Sequence, residues 1–122
     1  MVAVAGAVFG IYPYDTSGGN GVRVWHTGTS LINQNNGAIA DGQFHFFAFV
    51  SRSDNIHECY VDGSLLLTST TSKTLPSDLS QVNIGRWGGS GSQYFSGGID
   101  DVRVYTRPLS VSEIQALYQS GL

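Results

Sequence analysis

Residues 43–50 read Gln-Phe-His-Phe-Phe-Ala-Phe-Val, and four of these eight are phenylalanine. Successive side chains of a strand point to opposite faces, so phenylalanine at 44, 46, 47 and 49 puts aromatic surface on both. Neither face suits water. The segment therefore predicts a central strand, covered on both sides, in a layered β fold. Further along, Asp62-Gly63 separates the runs Ile56–Val61 and Ser64–Thr68. A type I′ turn needs positive φ at both central residues, and Asp-Gly is among the few dipeptides that supply it. A β-hairpin follows.

The remainder reads as short strands between glycine-rich turns. Val2–Ile11 is a candidate buried strand. The apolar opening MVAVAGAVFG invites a secretory-signal reading, but it carries no basic n-region and continues through Ile11-Tyr12-Pro13-Tyr14 without a small-residue cleavage site. After the turn-forming run Asp15–Gly21, Val22–His26 alternates, with Val22, Val24 and His26 on one face and Arg23 and Trp25 on the other. Ser30–Ile32 is a short strand, Asn33–Gly37 a turn, Ser51–Asn55 another, and Thr70–Ser80 a loop. Gln81–Gly85 and Ile99–Tyr105 complete the strands. The period then changes. Ser110 as N-cap and Glu113 at N3 form a capping box, Leu109 and Ile114 a hydrophobic staple, and Val111, Ile114, Leu117 and Tyr118 share a helical face that Gly121 can close.

A chain of 122 residues suits one domain, 1–122. Its net charge of −3, with Lys73 as the only lysine and Arg23, Arg52, Arg86, Arg103 and Arg107 scattered, argues against a nucleic-acid footprint. No run approaches the ~20 apolar residues of a membrane span, so no membrane insertion is expected. Cys59 is the only cysteine, which excludes an intrachain disulfide and a cysteine-rich zinc site.

The blocks Phe44–Val50, Tyr60-Val61-Asp62-Gly63, Ile84-Gly85-Arg86, Gly98–Tyr105 and Leu109-Ser110 with Glu113-Ile114 resemble, in order and spacing, the signature of laminin-G-like domains. These belong to the concanavalin A-like lectin/glucanase superfamily, with pentraxins among the relatives. The resemblance covers residues 40–119. It implies an all-β fold: an antiparallel β-sandwich (jelly roll) with one short C-terminal helix. Phe44 stands where the family has tryptophan. Gly97 and Gly98 would let the last strand approach the sheet closely, with Val102 and Val104 inward and Arg103 outward. Such domains begin with further strands ahead of the matching blocks, so the chain is expected to lack the first of them. Edges left open in that way predict a homodimer or strand-exchanged oligomer. The family also implies a secreted or cell-surface setting.

Glucanases of this fold use paired carboxylates on one strand face. Here Glu58 and Glu113 are the only glutamates, and adjacent Asp100 and Asp101 point to opposite faces of a strand. An enzyme is therefore not expected. His26, His45 and His57 lie on different strands with no same-face acidic partner, although His45 and His57 fall on neighbouring strands. Cys59, sharing a face with His57 and Val61, suits a small buried thiol. The family's use of calcium points to Asp100 and Asp101 as oxygen ligands; the alternative is one aspartate bonding a loop amide and the other solvated. For sugar binding, Trp87 beside Arg86, Gln93 and Tyr94 is the foremost candidate, with Trp25, Tyr12, Tyr14 and the polar run Asn33–Asn36 as further possibilities. The reading is a non-catalytic module that recognises carbohydrate or a glycosylated partner. The alternative is a structural, self-associating module with no small ligand.

Overall fold

The structure is a computed structural model that describes residues 2–4, 9–12, 21–26, 28–34, 39, 41–53, 55–75, 82–86 and 94–121. Among them are strands β1 (Val2–Val4), β2 (Phe9–Tyr12), β3 (Val22–His26), β4 (Thr29–Gln34), β5 (Phe47–Ser53), β6 (Ile56–Val61), β7 (Ser64–Ser69) and β8 (Val82–Ile84), then helix α1 (Val111–Gln119). All the strand pairings are antiparallel. They build a five-stranded sheet in the order β4-β3-β2-β1-β8 and a three-stranded sheet in the order β5-β6-β7. This mostly-strand, antiparallel architecture with one helix is consistent with a concanavalin A-like sandwich. The described strands do not trace a complete jelly roll.

The alternation of β3 is realised: Val22, Val24 and His26 are buried, and Arg23 and Trp25 are half-buried on the other face. Val22 and Val24, with Leu31 and Ile32 of β4, pack across the layers onto Cys59 of β6; Phe47, Phe49, Val61, Leu66 and Leu67 close around them. Complete burial of each valine, leucine or isoleucine contributes about 1.5–3 kcal/mol. A second cluster lies on the other face of the small sheet, where Val50 and Tyr60 meet Leu109 and Ile114, with Phe46, Ala48 and Leu117 against them. The aromatic strand is thus covered on both faces. Phe47 and Phe49 face the other sheet, while Phe46, Ala48 and Val50 face the helix. Its position differs from expectation, since β5 forms the edge of its sheet among the described strands.

The segment 43–50 also starts its pairing late. Phe44 is 72% exposed, and the strand begins at Phe47. The reason lies in the Asp62 turn. Asp62 donates its backbone N–H to the Phe46 carbonyl and accepts the Phe46 N–H on Oδ1, both at 3.0 Å, so the residues before 47 meet a turn rather than a strand. At the other end β5 runs on to Ser53, past the start of the expected turn.

Two further expectations are corrected. Val2–Ile11 is two strands, not one: β1 and β2 pair as Val2↔Ile11, Ala3↔Gly10 and Val4↔Phe9. The intervening Ala5-Gly6-Ala7 are weak strand formers, so the run folds back on itself more readily than it extends. Ile99–Tyr105 forms no strand, and Val102 and Val104 are 39% and 60% exposed rather than inward. Asp101 adopts φ 49°, which breaks an extended chain in mid-segment. The Asp100 carboxylate accepts the Asp101 N–H at 2.8 Å, and Arg103 grips Asp101 with two bonds of 2.9 and 2.8 Å. These local bonds substitute for a strand ladder.

The C-terminal helix forms where its caps place it. Ser110 Oγ accepts the Glu113 N–H, Glu113 returns a bond to the Ser110 N–H at 2.8 Å, and Gly121 follows the end at φ 92°. Of the expected apolar face, Ile114 is fully buried, Leu117 half-buried and Val111 exposed. Leu109 and Ile114 share one cluster, as a staple requires. Arg52 at the end of β5 joins sheet to helix. Its guanidinium bonds Glu58 at 2.7 Å, the Tyr60 hydroxyl at 3.4 Å and the Leu109 carbonyl at 3.2 Å, while Tyr60 donates to Glu58 at 2.8 Å. Arg52 accordingly holds the Glu58 carboxyl below its usual range, and burial, then Glu58, push the Tyr60 phenol up.

Candidate functional site

At the end of β8, Gly85 turns the chain with φ 77° and accepts the Phe95 N–H at 2.8 Å. That bond brings Arg86 opposite Tyr94 in an antiparallel bridge. Directly opposed residues of such a pair share a face, so two members of the expected sugar-binding group stand side by side. Both are exposed, and Tyr94 at 70% offers most of its ring to solvent. A phenol ring presents an apolar face with a polar tip, and a guanidinium brings up to five N–H donors. A pyranose, with C–H groups on one face and hydroxyls on its rim, matches that combination. Trp87 and Gln93 lie outside the described residues, as do Tyr14, Asn35 and Asn36. Trp25 is half-buried on β3 and Asn33 is exposed on β4.

Asp100 and Asp101 are exposed and adjacent, but the donor set does not fit a hard cation. The Asp101 carboxylate is already matched by Arg103, and Asp100 is turned to the backbone of its neighbour. A calcium ion would have to displace a bidentate guanidinium. Among the described residues no group of three His, Cys, Asp or Glu side chains is arranged to hold a metal.

Both glutamates are engaged in holding the fold. Glu58 is bound by Arg52 and Tyr60. Glu113 pairs with Arg107 at 2.6 Å and caps Ser110, and these bonds hold its carboxyl down at about 2. Cys59 is 1% exposed, and burial pushes its thiol up to about 12, so it is a poor nucleophile. His57, fully buried, lies 3.1 Å from both Ser51 Oγ and the Thr71 carbonyl and stacks on Phe49. It stands at the opposite end of β6 from His45, so the two histidines do not form one site. A shallow groove of about 290 Å³ runs between the helix and residues 105–109. Its rim charges, Arg107 and Glu113, are paired with each other.

One arrangement lies outside the sequence reading. The His45 ring sits between two carboxylates, with Nδ1 2.7 Å from Asp62 Oδ2 and Nε2 3.0 Å from Asp41 Oδ1. The signal available was Asp41 at i−4 on the same segment. Asp62 reaches the ring only because the hairpin turn folds beside it.

Two antiparallel sheets with an apolar layer between them and a helix on the outer face of the smaller sheet are the arrangement of a concanavalin A-like sandwich. The chain belongs to the concanavalin A-like lectin/glucanases superfamily: the family model Laminin_G_3 matches residues 4–115, which takes in the N-terminal strands as well as the blocks from 40 onward. The chain is similar to the crystal structure of an S-layer domain-containing protein (residues 221–444) from Clostridium thermocellum ATCC 27405, with 24% identity and a TM-score of 0.56. The match covers 93% of this chain and 52% of that one, so the chain spans about half its length, and the likeness concerns the fold. None of the curated proteins matches the chain.

Proposed function

We propose that the chain is a non-catalytic recognition module that binds carbohydrate, free or on a glycosylated partner, through the rim where Arg86 faces Tyr94. The observation that carries this reading is the pairing itself: a ring 70% exposed beside an exposed guanidinium, held by a backbone bridge. Trp87 and Gln93 are next to these two in sequence. The engagement of both glutamates in the Arg52 and capping-box networks supports a binding rather than a hydrolytic role. Similarity in fold to an S-layer domain-containing protein supports a cell-surface or extracellular setting.

A glycan array tests the proposal. Saturable binding to a defined set of sugars is expected, weakened at least about tenfold (about 1.4 kcal/mol) by Tyr94→Ala and by Trp87→Ala. Tyr94 is mostly exposed, so its variant should keep the stability of the parent. Hydrolysis of any β-glucan would overturn the non-catalytic part. A second reading, self-association, is favoured by the edge position of β5 and by exposed Phe44 and Val104. A flat array together with a dimer or larger species in light scattering would select it and refute sugar binding.

A further inference from the structure

We propose that Asp41, His45 and Asp62 form a pH-sensitive clasp, which holds residues 41–44 onto His45, itself bonded to the β6–β7 hairpin turn, when the imidazole is protonated and releases them when it is not. The geometry requires a proton on each ring nitrogen. Asp41 Oδ1 and Asp62 Oδ2 lie 3.0 and 2.7 Å from Nε2 and Nδ1, and an ionised carboxylate only accepts. A neutral imidazole donates once. Both bonds therefore exist together only in the imidazolium, and its loss leaves one carboxylate facing a ring lone pair.

The two jaws differ in firmness. Asp62 is fixed on the turn by its backbone N–H to the Phe46 carbonyl and by Oδ1, which accepts the Phe46 N–H. The turn in turn packs on the helix, since Gly63 lies against the Tyr118 ring. Asp41 is more exposed (48% against 36%), sits at the longer distance and lies on a segment without strand pairing. The same oxygen also accepts the Gln43 N–H at 2.8 Å, a local bond within its own segment. Deprotonation therefore opens the Asp41 side. Asp41 and Asp62 are the charged groups that act on the ring, and both hold its proton on more firmly, Asp62 the more strongly. The helix brings one further titratable side chain to this corner, Tyr118, whose ring packs on Phe46 at 6.1 Å between centroids.

The direction in pH follows. With the folded-state value raised, the clasp is complete below the ordinary histidine value of 6.5 and is lost as pH rises through the elevated one. Phe44, the residue before His45, lies against Gly98, where a Cβ would fall 2.7 Å from the ring. Opening the clasp frees that contact too. The clasp stands whatever the Tyr94 rim binds.

Site-resolved NMR titration of the labelled full chain, from mildly acidic to mildly alkaline pH, tests it. The His45 ring is expected to titrate above 6.5, with the amides of Gly42, Gln43, Phe44 and Gly98 shifting at the same midpoint. In Asp41→Asn the midpoint should fall toward the ordinary value, and those amides should lose their pH dependence. A wild-type His45 midpoint at or below 6.5, or amides that do not follow the ring, overturns the clasp without recourse to any variant.

Discussion

Replacing Ile114 by alanine is expected to lower the unfolding free energy by about 3 kcal/mol, within the 2–5 kcal/mol range for truncating a fully buried isoleucine. Ile114 is 0% exposed and is the helix residue seated among Val50, Tyr60 and Leu109. Two losses combine. The removed methyl and methylene groups forfeit their transfer free energy, and the surrounding side chains cannot all close on the space. Tyr60 is held by Glu58 and Arg52, and Leu109 by Arg52, so the neighbours best placed to move in are tethered. Urea denaturation gives the comparison directly. Val111→Ala on the same helix is the control, since Val111 is 47% exposed and its truncation should stay within about 0.5 kcal/mol. Equal effects at the two positions would contradict the helix packing described above.

Gly63→Ala carries the second large expectation, a loss of about 3 kcal/mol from two separable causes. Gly63 has φ 76°, where an L-residue costs about 1–2 kcal/mol. A Cβ there would also lie 2.9 Å from Tyr118 Cδ1 and 3.3 Å from Cγ, inside a packed ring contact. The turn and the helix would have to part. A double-mutant cycle separates the causes. In a Tyr118→Ala background the steric part vanishes, and Gly63→Ala should then cost only the backbone share. If the cost is the same in both backgrounds, the helix does not rest on the hairpin turn.

Features written in a few adjacent residues were legible from the sequence. Ser110 and Glu113 announce the helix start, Asp62-Gly63 the hairpin, and the alternation of Val22–His26 a strand with one buried face; each depends on its own neighbourhood. Features decided by what folds alongside were not. Val2–Ile11 reads as one apolar strand, and only its pairing with itself and with β8 divides it. Ile99–Tyr105 has strand-like alternation, yet the left-handed Asp101 and the Arg103 grip hold it outside a ladder. Of the site, Arg86 and Tyr94 were recognisable as chemical types, but their adjacency comes from an antiparallel bridge that local sequence does not announce. The acidic partners of His45 escaped a search for same-face spacing, because one of them belongs to a turn 17 residues away.

The burial of Cys59 has a practical consequence. Its thiol is 1% exposed, raised to about 12 and placed where the two sheets meet. It is the thiolate that attacks a disulfide reagent, so this sulfur stays silent while the layers are together and becomes reactive when they part. As the chain has one cysteine, the rate at which a disulfide reagent consumes it is an intrinsic clock for sheet separation. In Ile114→Ala, the ratio of that rate to the wild-type rate tells whether loosening the helix also opens the layer beneath it.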